Sequence, residues 1–262
     1  MVMITNKKYQ NIPVLEVVQE ELSQMQVPLI MFIHGFTSAK EHNLHFAYLL
    51  AEKGFRVILP DSIYHGERTQ NLSETELSFK FWDIVINNIK ELDVIKEEVK
   101  QLGLLDETKV GVAGTSMGGI TTLGAITQYK WINTAVSLMG SPCYEEFFNG
   151  LVREIRRNQI ELPVTDEQLQ QQSSLLREYD LSQQPEKLEG RPLLFWHGEK
   201  DRVVPFQNTY EFYKKIFPLY EGNEENLKFI ADPKGDHKVS REGLLETVEW
   251  FKKHLKSKSL AN

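Results

Sequence analysis

Short, almost uninterrupted apolar runs recur along this chain, each followed by a longer stretch with helical spacing. No other feature narrows the fold as far. The runs fall at 13–18, 29–33, 56–59, 110–113, 135–139, 193–196 and 227–230. A strand with one wet face alternates polar and apolar residues, so a near-continuous apolar run signals a strand covered on both faces, as in a parallel sheet. Between the runs lie helical patterns at 39–53, 76–102, 117–129, 206–217 and 239–256. In the second, Trp82, Val85, Ile89, Leu92, Ile95, Val99 and Leu102 recur at steps of three and four, and Gly103 follows as a stop. Repeated strand–helix alternation predicts an α/β fold with a mostly parallel central sheet flanked by helices.

The rhythm breaks once. Residues 143–190 hold no convincing strand but two amphipathic patterns, 145–160 and 166–176, the second opened by a capping box of Thr165 with Gln168. The glutamine-rich tract 168–172 reads as a solvated helix face. This stretch is expected to be a helical insertion within one domain, 1–262. Acidic residues outnumber basic ones, 37 to 30, and a net charge of −7 repels phosphate backbones and anionic lipid, so neither nucleic acid nor membrane is expected as a partner. The single cysteine, Cys143, cannot form an intrachain disulfide, which suits a reducing compartment. Lysines at positions 7 and 8 stand where a signal peptide needs its apolar segment, and a cytoplasmic location is expected.

Gly114-Thr115-Ser116-Met117-Gly118 joins the run at 110–113 to the helical pattern after it. A strand–turn–helix of this kind is the context a nucleophile elbow needs, because the sharp turn exposes the serine hydroxyl and the glycines allow close backbone approach. His34-Gly35-Phe36-Thr37 follows the apolar run at 29–33. Acyl transfer requires preorganised N–H donors for an oxyanion, and the backbone amides of Phe36 and Met117 are the candidates. Within the first of these segments His34 is expected to brace the loop. Asp201 stands just past one strand and His237 just past the last, giving the chain order serine, acid, histidine expected of α/β-hydrolases. Asp236 is a rival to Asp201, yet adjacent side chains diverge, so Asp201 is the expected partner of His237.

These segments, with Pro60-Asp61-Ser62-Ile63-Tyr64-His65-Gly66-Glu67-Arg68, resemble the α/β-hydrolase superfamily over nearly the whole chain, near its dienelactone-hydrolase and prolyl-oligopeptidase-like esterases. The resemblance implies a cofactor-free hydrolase of small carboxylic esters with catalytic Ser116, Asp201 and His237. It also implies a small helical cap, 143–190, inserted after the sixth core strand. Tyr64, Phe147 and Phe148 are the expected substrate contacts. Amidase, peptidase or thioesterase activity on the same triad is the alternative, and an idle binding module the alternative outside catalysis. No metal is expected: His42 and His45 stand three apart without a third ligand pattern. Oligomeric state is not legible.

Overall fold

The computed structural model describes residues 1–159 and 164–256. Eight strands form one sheet in the order β1-β2-β4-β3-β5-β6-β7-β8. These are β1 (Val2–Tyr9), β2 (Ile12–Gln19), β3 (Val27–Ile33), β4 (Arg56–Pro60), β5 (Leu105–Thr115), β6 (Thr134–Leu138), β7 (Leu193–Gly198) and β8 (Leu227–Asp232). β2 pairs antiparallel with β1 and with β4, and every pairing from β4 through β8 is parallel.

The apolar runs are continuous because both faces are covered. On β3, Leu29, Met31 and Ile33 enter one core with Trp82, Ile89 and Leu92 of α3 (Phe81–Gln101) and Ile120 and Leu123 of α4 (Met117–Gln128). Ile30 and Phe32 point the other way, into a core with Phe46 and Leu50 of α1 (Leu44–Glu52) and Phe251 and Leu255 of α8 (Arg241–Leu255). Between β6 and β7 come α5 (Tyr144–Arg157) and α6 (Asp166–Arg177), and α7 (Phe206–Ile216) precedes β8. The α6 start carries the expected reciprocal bonds between Thr165 and Gln168. Ile160, the last residue of the pattern read at 145–160, lies outside the described residues.

Three readings change. β1 escaped notice because an edge strand with a wet face alternates, and Thr5, Asn6, Lys7 and Lys8 dilute its signal. β5 starts five residues early, at Leu105, because Asp106, Glu107 and Thr108 extend it beyond the apolar stretch. The helix read at 76–102 is two, α2 (Glu74–Phe79) and α3, separated at Lys80, whose N–H bonds Leu77 three residues back. The α2 start has its own capping box, Ser73 with Glu76. No helix among the described residues is long and apolar enough to cross a membrane.

Candidate active site

Every residue singled out from the core loops lies past the carboxyl end of a parallel strand, where open α/β sheets assemble their sites. Ser116 follows β5 directly and takes φ +55° and ψ −114°, a backbone region that costs a non-glycine residue about 1–3 kcal/mol. The surroundings hold it there: its N–H donates to Leu138 O at 2.8 Å, and its carbonyl accepts from Ile120 N–H at 2.9 Å. The tight turn depends on its glycines. A Cβ on Gly118 would lie 2.1 Å from Ile33 O, and one on Gly114 would lie 2.4 Å from the Gly118 carbonyl carbon.

The loops after β7 and β8 meet at the serine. His237 Nε2 stands 2.8 Å from Ser116 Oγ, and His237 Nδ1 donates to Asp201 Oδ2 at 2.7 Å. The side chain of Asp201 is fully buried, and its Oδ1 accepts from the Val203 and Val204 amides at 2.8 and 3.0 Å. A second imidazole, His197, places Nε2 3.2 Å from the same Oδ2 and 2.9 Å from Val204 O. Burial pushes the Asp201 carboxyl up, but the bonds from His197, His237 and the Val204 amide outweigh it and hold the group well below the usual carboxylate range. Asp201 therefore stays charged opposite His237. Asp236 is exposed. A hydroxyl bonded to an imidazole that is itself held by a carboxylate can lose its proton as it attacks an electrophilic carbon.

The loop after β3 passes beside the serine: a Cβ on Gly35 would sit 3.6 Å from Ser116 Cβ. The Met117 N–H opens α4 and has no partner four residues back, and neither it nor the Phe36 N–H has an acceptor among the described residues. Two histidines and one ion pair bind this loop to the one after β4. His34 Nε2 accepts from Ser62 N–H at 3.0 Å while its Nδ1 donates to Gly35 O at 2.7 Å. His65 Nε2 accepts from Thr37 N–H at 3.0 Å while its Nδ1 donates to Ile63 O at 3.0 Å. Buried Lys40 and Asp61 pair at 2.6 Å. Burial pushes His34 down to about 4, outweighing its bond to Gly35, and also lowers His65. Both rings are thus neutral acceptors near neutral pH. Tyr64 lies in the second loop at φ +65°, half-buried against the core.

Phe148 is buried and Phe147 half-buried on α5, where the Phe147 ring lies 6.4 Å from Phe81 and 6.0 Å from Trp82. Phe81 in turn meets the Phe36 ring edge-on at 5.5 Å. The Cys143 thiol is pushed up to about 11 by burial, which suits a small packed side chain and not a nucleophile. Among the described residues no group of three or more His, Cys, Asp or Glu could hold a metal ion. Sequence reasoning passed over His197, Lys40 and Asp61. Each stands near a strand end, which is a signal, but their partners lie in other loops or must be chosen among several carboxylates.

Residues 42–258 match the prolyl oligopeptidase family. The chain is 53% identical over 255 residues to "Putative esterase YitV" of Bacillus subtilis (strain 168), covering 97% of this chain and 100% of that protein. It is 30% identical over 258 residues to esterase YjfP of Escherichia coli (strain K12), covering 97% and 100% respectively. Among solved structures, TT1662 from Thermus thermophilus superposes with a TM-score of 0.74 at 20% identity, covering 98% of this chain and 100% of that one. With a family match over most of its length and two such relatives aligned end to end, this chain belongs to the prolyl oligopeptidase family and has the α/β-hydrolase fold.

Proposed function

We propose that this protein hydrolyses small carboxylic esters through an acyl-enzyme on Ser116. One observation carries the reading: the Ser116–His237–Asp201 chain of hydrogen bonds, at 2.8 and 2.7 Å, on a strained strand-to-helix turn. Ser116 Oγ attacks the ester carbonyl carbon while His237 Nε2 takes its proton, and Asp201 stabilises the imidazolium and fixes its orientation. The carbonyl oxygen gains the negative charge and is held by the Phe36 and Met117 amides. The C–O bond to the alcohol then breaks, and Nε2 returns the proton to the leaving oxygen. Water repeats the sequence on the acyl-enzyme, with Nε2 taking its proton and Ser116 Oγ regaining one. No cofactor enters any step.

Residues 143–190 serve as a cap on a single domain spanning 1–262. Tyr64, Phe147 and Phe148 contact substrate on the side of β4 and α5. The names of the two relatives aligned end to end support ester cleavage. The unpaired Cys143 suits a reducing, cytoplasmic setting. Amide hydrolysis is the second reading, favoured by the description of the family as oligopeptidases. The test combines fluorophosphonate labelling with turnover of p-nitrophenyl acetate and the matched p-nitroanilide. Labelling at Ser116, lost in Ser116→Ala, with ester turnover well above anilide turnover supports the proposal. Labelling that persists in folded Ser116→Ala overturns the nucleophile, and faster anilide turnover overturns the ester assignment.

A further inference from the structure

The sheet ends at β8, and among the described residues no strand pairs with its outer side. An edge of this kind presents unpaired N–H and C=O groups, a template for another strand. The hydrogen bond from Glu199 N–H to Asp232 O, at 2.9 Å, fixes which residues supply them. Backbone groups alternate sides along a strand. Lys228, Ile230 and Asp232 therefore turn theirs toward β7, while Leu227, Phe229 and Ala231 turn theirs outward. Side chains alternate between the two faces as well. Phe229 lies on the α7 face, against the rings of Phe206, Tyr210 and Tyr213 at 5.6, 5.2 and 5.2 Å. Ile230 lies on the α8 face with Lys228, whose ammonium is 2.6 Å from Glu246. Phe229 and Ile230 are only half-buried, and Phe217 and Leu219, just after α7, are exposed.

The charge pattern of the strand selects its occupant. After Leu227, β8 reads Lys228, three apolar residues, then Asp232. A copy laid antiparallel and centred on Ile230 sets Lys228 opposite Asp232 of the second copy, and the two-fold axis repeats that pair at the other end. Opposite charges directly across two strands stabilise the pairing, whereas a parallel copy in register would set like against like. The outward backbone groups agree with this centre. Phe229 and Ala231 of the second copy become a hydrogen-bonded pair, and Ile230 faces its own copy across the axis as the non-hydrogen-bonded pair between. Pro233, with no N–H to donate, ends the ladder. A one-residue slip opposes outward groups to inward ones, and a two-residue slip sets Lys228 or Asp232 against Ile230.

We infer that β8 is the docking edge for a second copy of this chain, in a two-fold dimer whose sheet runs through both copies. The interface is isologous, the same surface on each side. On the α8 face Lys228 bridges Glu246 of its own chain and Asp232 of the second copy. On the α7 face the half-buried Tyr210 and Tyr213 and the exposed Phe217 flank the paired strands, and aromatic residues are enriched at interface cores. Pairing at β8 does not depend on the reaction at Ser116, so an active monomer refutes it and leaves the ester reading intact.

The experiment measures the mass of the full chain by light scattering after size exclusion, at micromolar concentration, with circular dichroism to confirm that each variant is folded. Wild type should give twice the mass of one chain. Ile230→Lys sets two like charges face to face at the axis and should weaken the dimer roughly a hundredfold or more. Ile230→Glu should do the same, and mixing the two variants should restore the dimer, because this position meets only its own copy. Cross-linking reads the register. The Cα atoms of a non-hydrogen-bonded antiparallel pair stand about 4.5 Å apart, within the roughly 4.4–6.8 Å that a disulfide spans. In a Cys143→Ala background, Ile230→Cys should therefore give a covalent dimer in oxidised glutathione. Phe229→Cys should not, since it stands about 7–8 Å from its copy across the diagonal. If the charged variants do not fold, the two cysteine variants decide alone. A monomeric wild type overturns the inference. A dimer unchanged in both charged variants, or one without an Ile230→Cys cross-link, places the interface elsewhere and overturns it as well. Equal cross-linking through Phe229→Cys overturns the register.

Discussion

Replacing Asp61 with asparagine should destabilise the protein far more than the loss of one surface charge would. Lys40 and Asp61 are 1% and 0% exposed in their side chains, and their charged atoms are 2.6 Å apart. Asp61 Oδ1 accepts from Lys40 N–H at 3.0 Å, and Oδ2 accepts from both Lys40 Nζ and Glu67 N–H. Asparagine keeps one oxygen and turns an NH₂ toward donors on the other side, so at least one buried donor loses its acceptor. Breaking a buried ion pair from one side costs about 3–5 kcal/mol. Glu67 and Glu41 still approach the ammonium, at 2.8 and 3.1 Å, from half-exposed positions, so the lower end, about 3 kcal/mol, applies. For a domain of this size that corresponds to a fall in Tm of roughly 6–12 °C.

The assay is thermal unfolding of Asp61→Asn, Lys40→Met and the double variant, followed by circular dichroism. With the ammonium gone, the neutral amide no longer faces an uncompensated charge, so the double variant should recover about 2 kcal/mol relative to additivity. Strictly additive effects, or a Tm within about 2 °C of wild type for Asp61→Asn, would refute the reasoning. The pH dependence has a defined sign. Burial raises the Asp61 carboxyl, but the Lys40 ammonium and the Glu67 and Lys40 amides outweigh it and lower it below its ordinary value. Its contribution is therefore complete above about pH 4 and lost as pH falls through the folded-state value, and the double variant should lack that loss.

Asp201→Asn should keep the fold and lower kcat on an activated ester roughly 10⁴-fold, as tautomer disruption does in a serine triad, whereas exposed Asp236→Asn should cost less than tenfold; steady-state kinetics on both variants decides, and the reverse ranking moves the acid to Asp236. Stability should fall as pH drops from about 6.5 to 4, because His34 is held down to about 4 by burial and the unfolded chain takes up a proton there that the folded chain refuses. His45, His65 and His254 are lowered likewise and add to that slope, so urea unfolding of His34→Gln across this range should show a shallower dependence than wild type. Gly118→Ala should lower Tm by more than 10 °C or prevent folding, since its methyl would lie 2.1 Å from Ile33 O, and a Tm near wild type shows that the turn can widen.

The central sheet was legible because burial on both faces writes itself into composition: in 29–33 every residue is apolar and every one is buried. The edges were not, since a strand with one wet face, such as β1, has the composition of a loop. The three side chains at Ser116 could be named because each stands one turn past a strand end, and chain order plus parallel topology brings those ends together. The same logic separates Asp201 from Asp236, as a residue delivered from a neighbouring strand can face an imidazole that a chain neighbour cannot.

The bracing role of His34 was legible, but the partners in the network that holds the loops were not. Lys40 and Asp61 are 21 positions apart, and His34 and His65 each bond an amide 28 positions away. No periodicity links such pairs, because loops carry none; only the parallel register of β3 with β4, Leu29 opposite Arg56, lays the two loops side by side. Those bonds position the segment that presents the Phe36 amide. The strain at Ser116 is likewise sustained by bonds to Leu138 and Ile120, outside the motif that announces it. A motif thus names the candidate reacting groups, while the geometry they need comes from residues the motif does not contain. That division predicts where damage should be separable: changes at Ser116 should remove turnover from a stable protein, changes at Lys40 or Asp61 should lower stability and turnover together, and changes at Asp201, which is itself buried and multiply bonded, should remove turnover at some cost in stability.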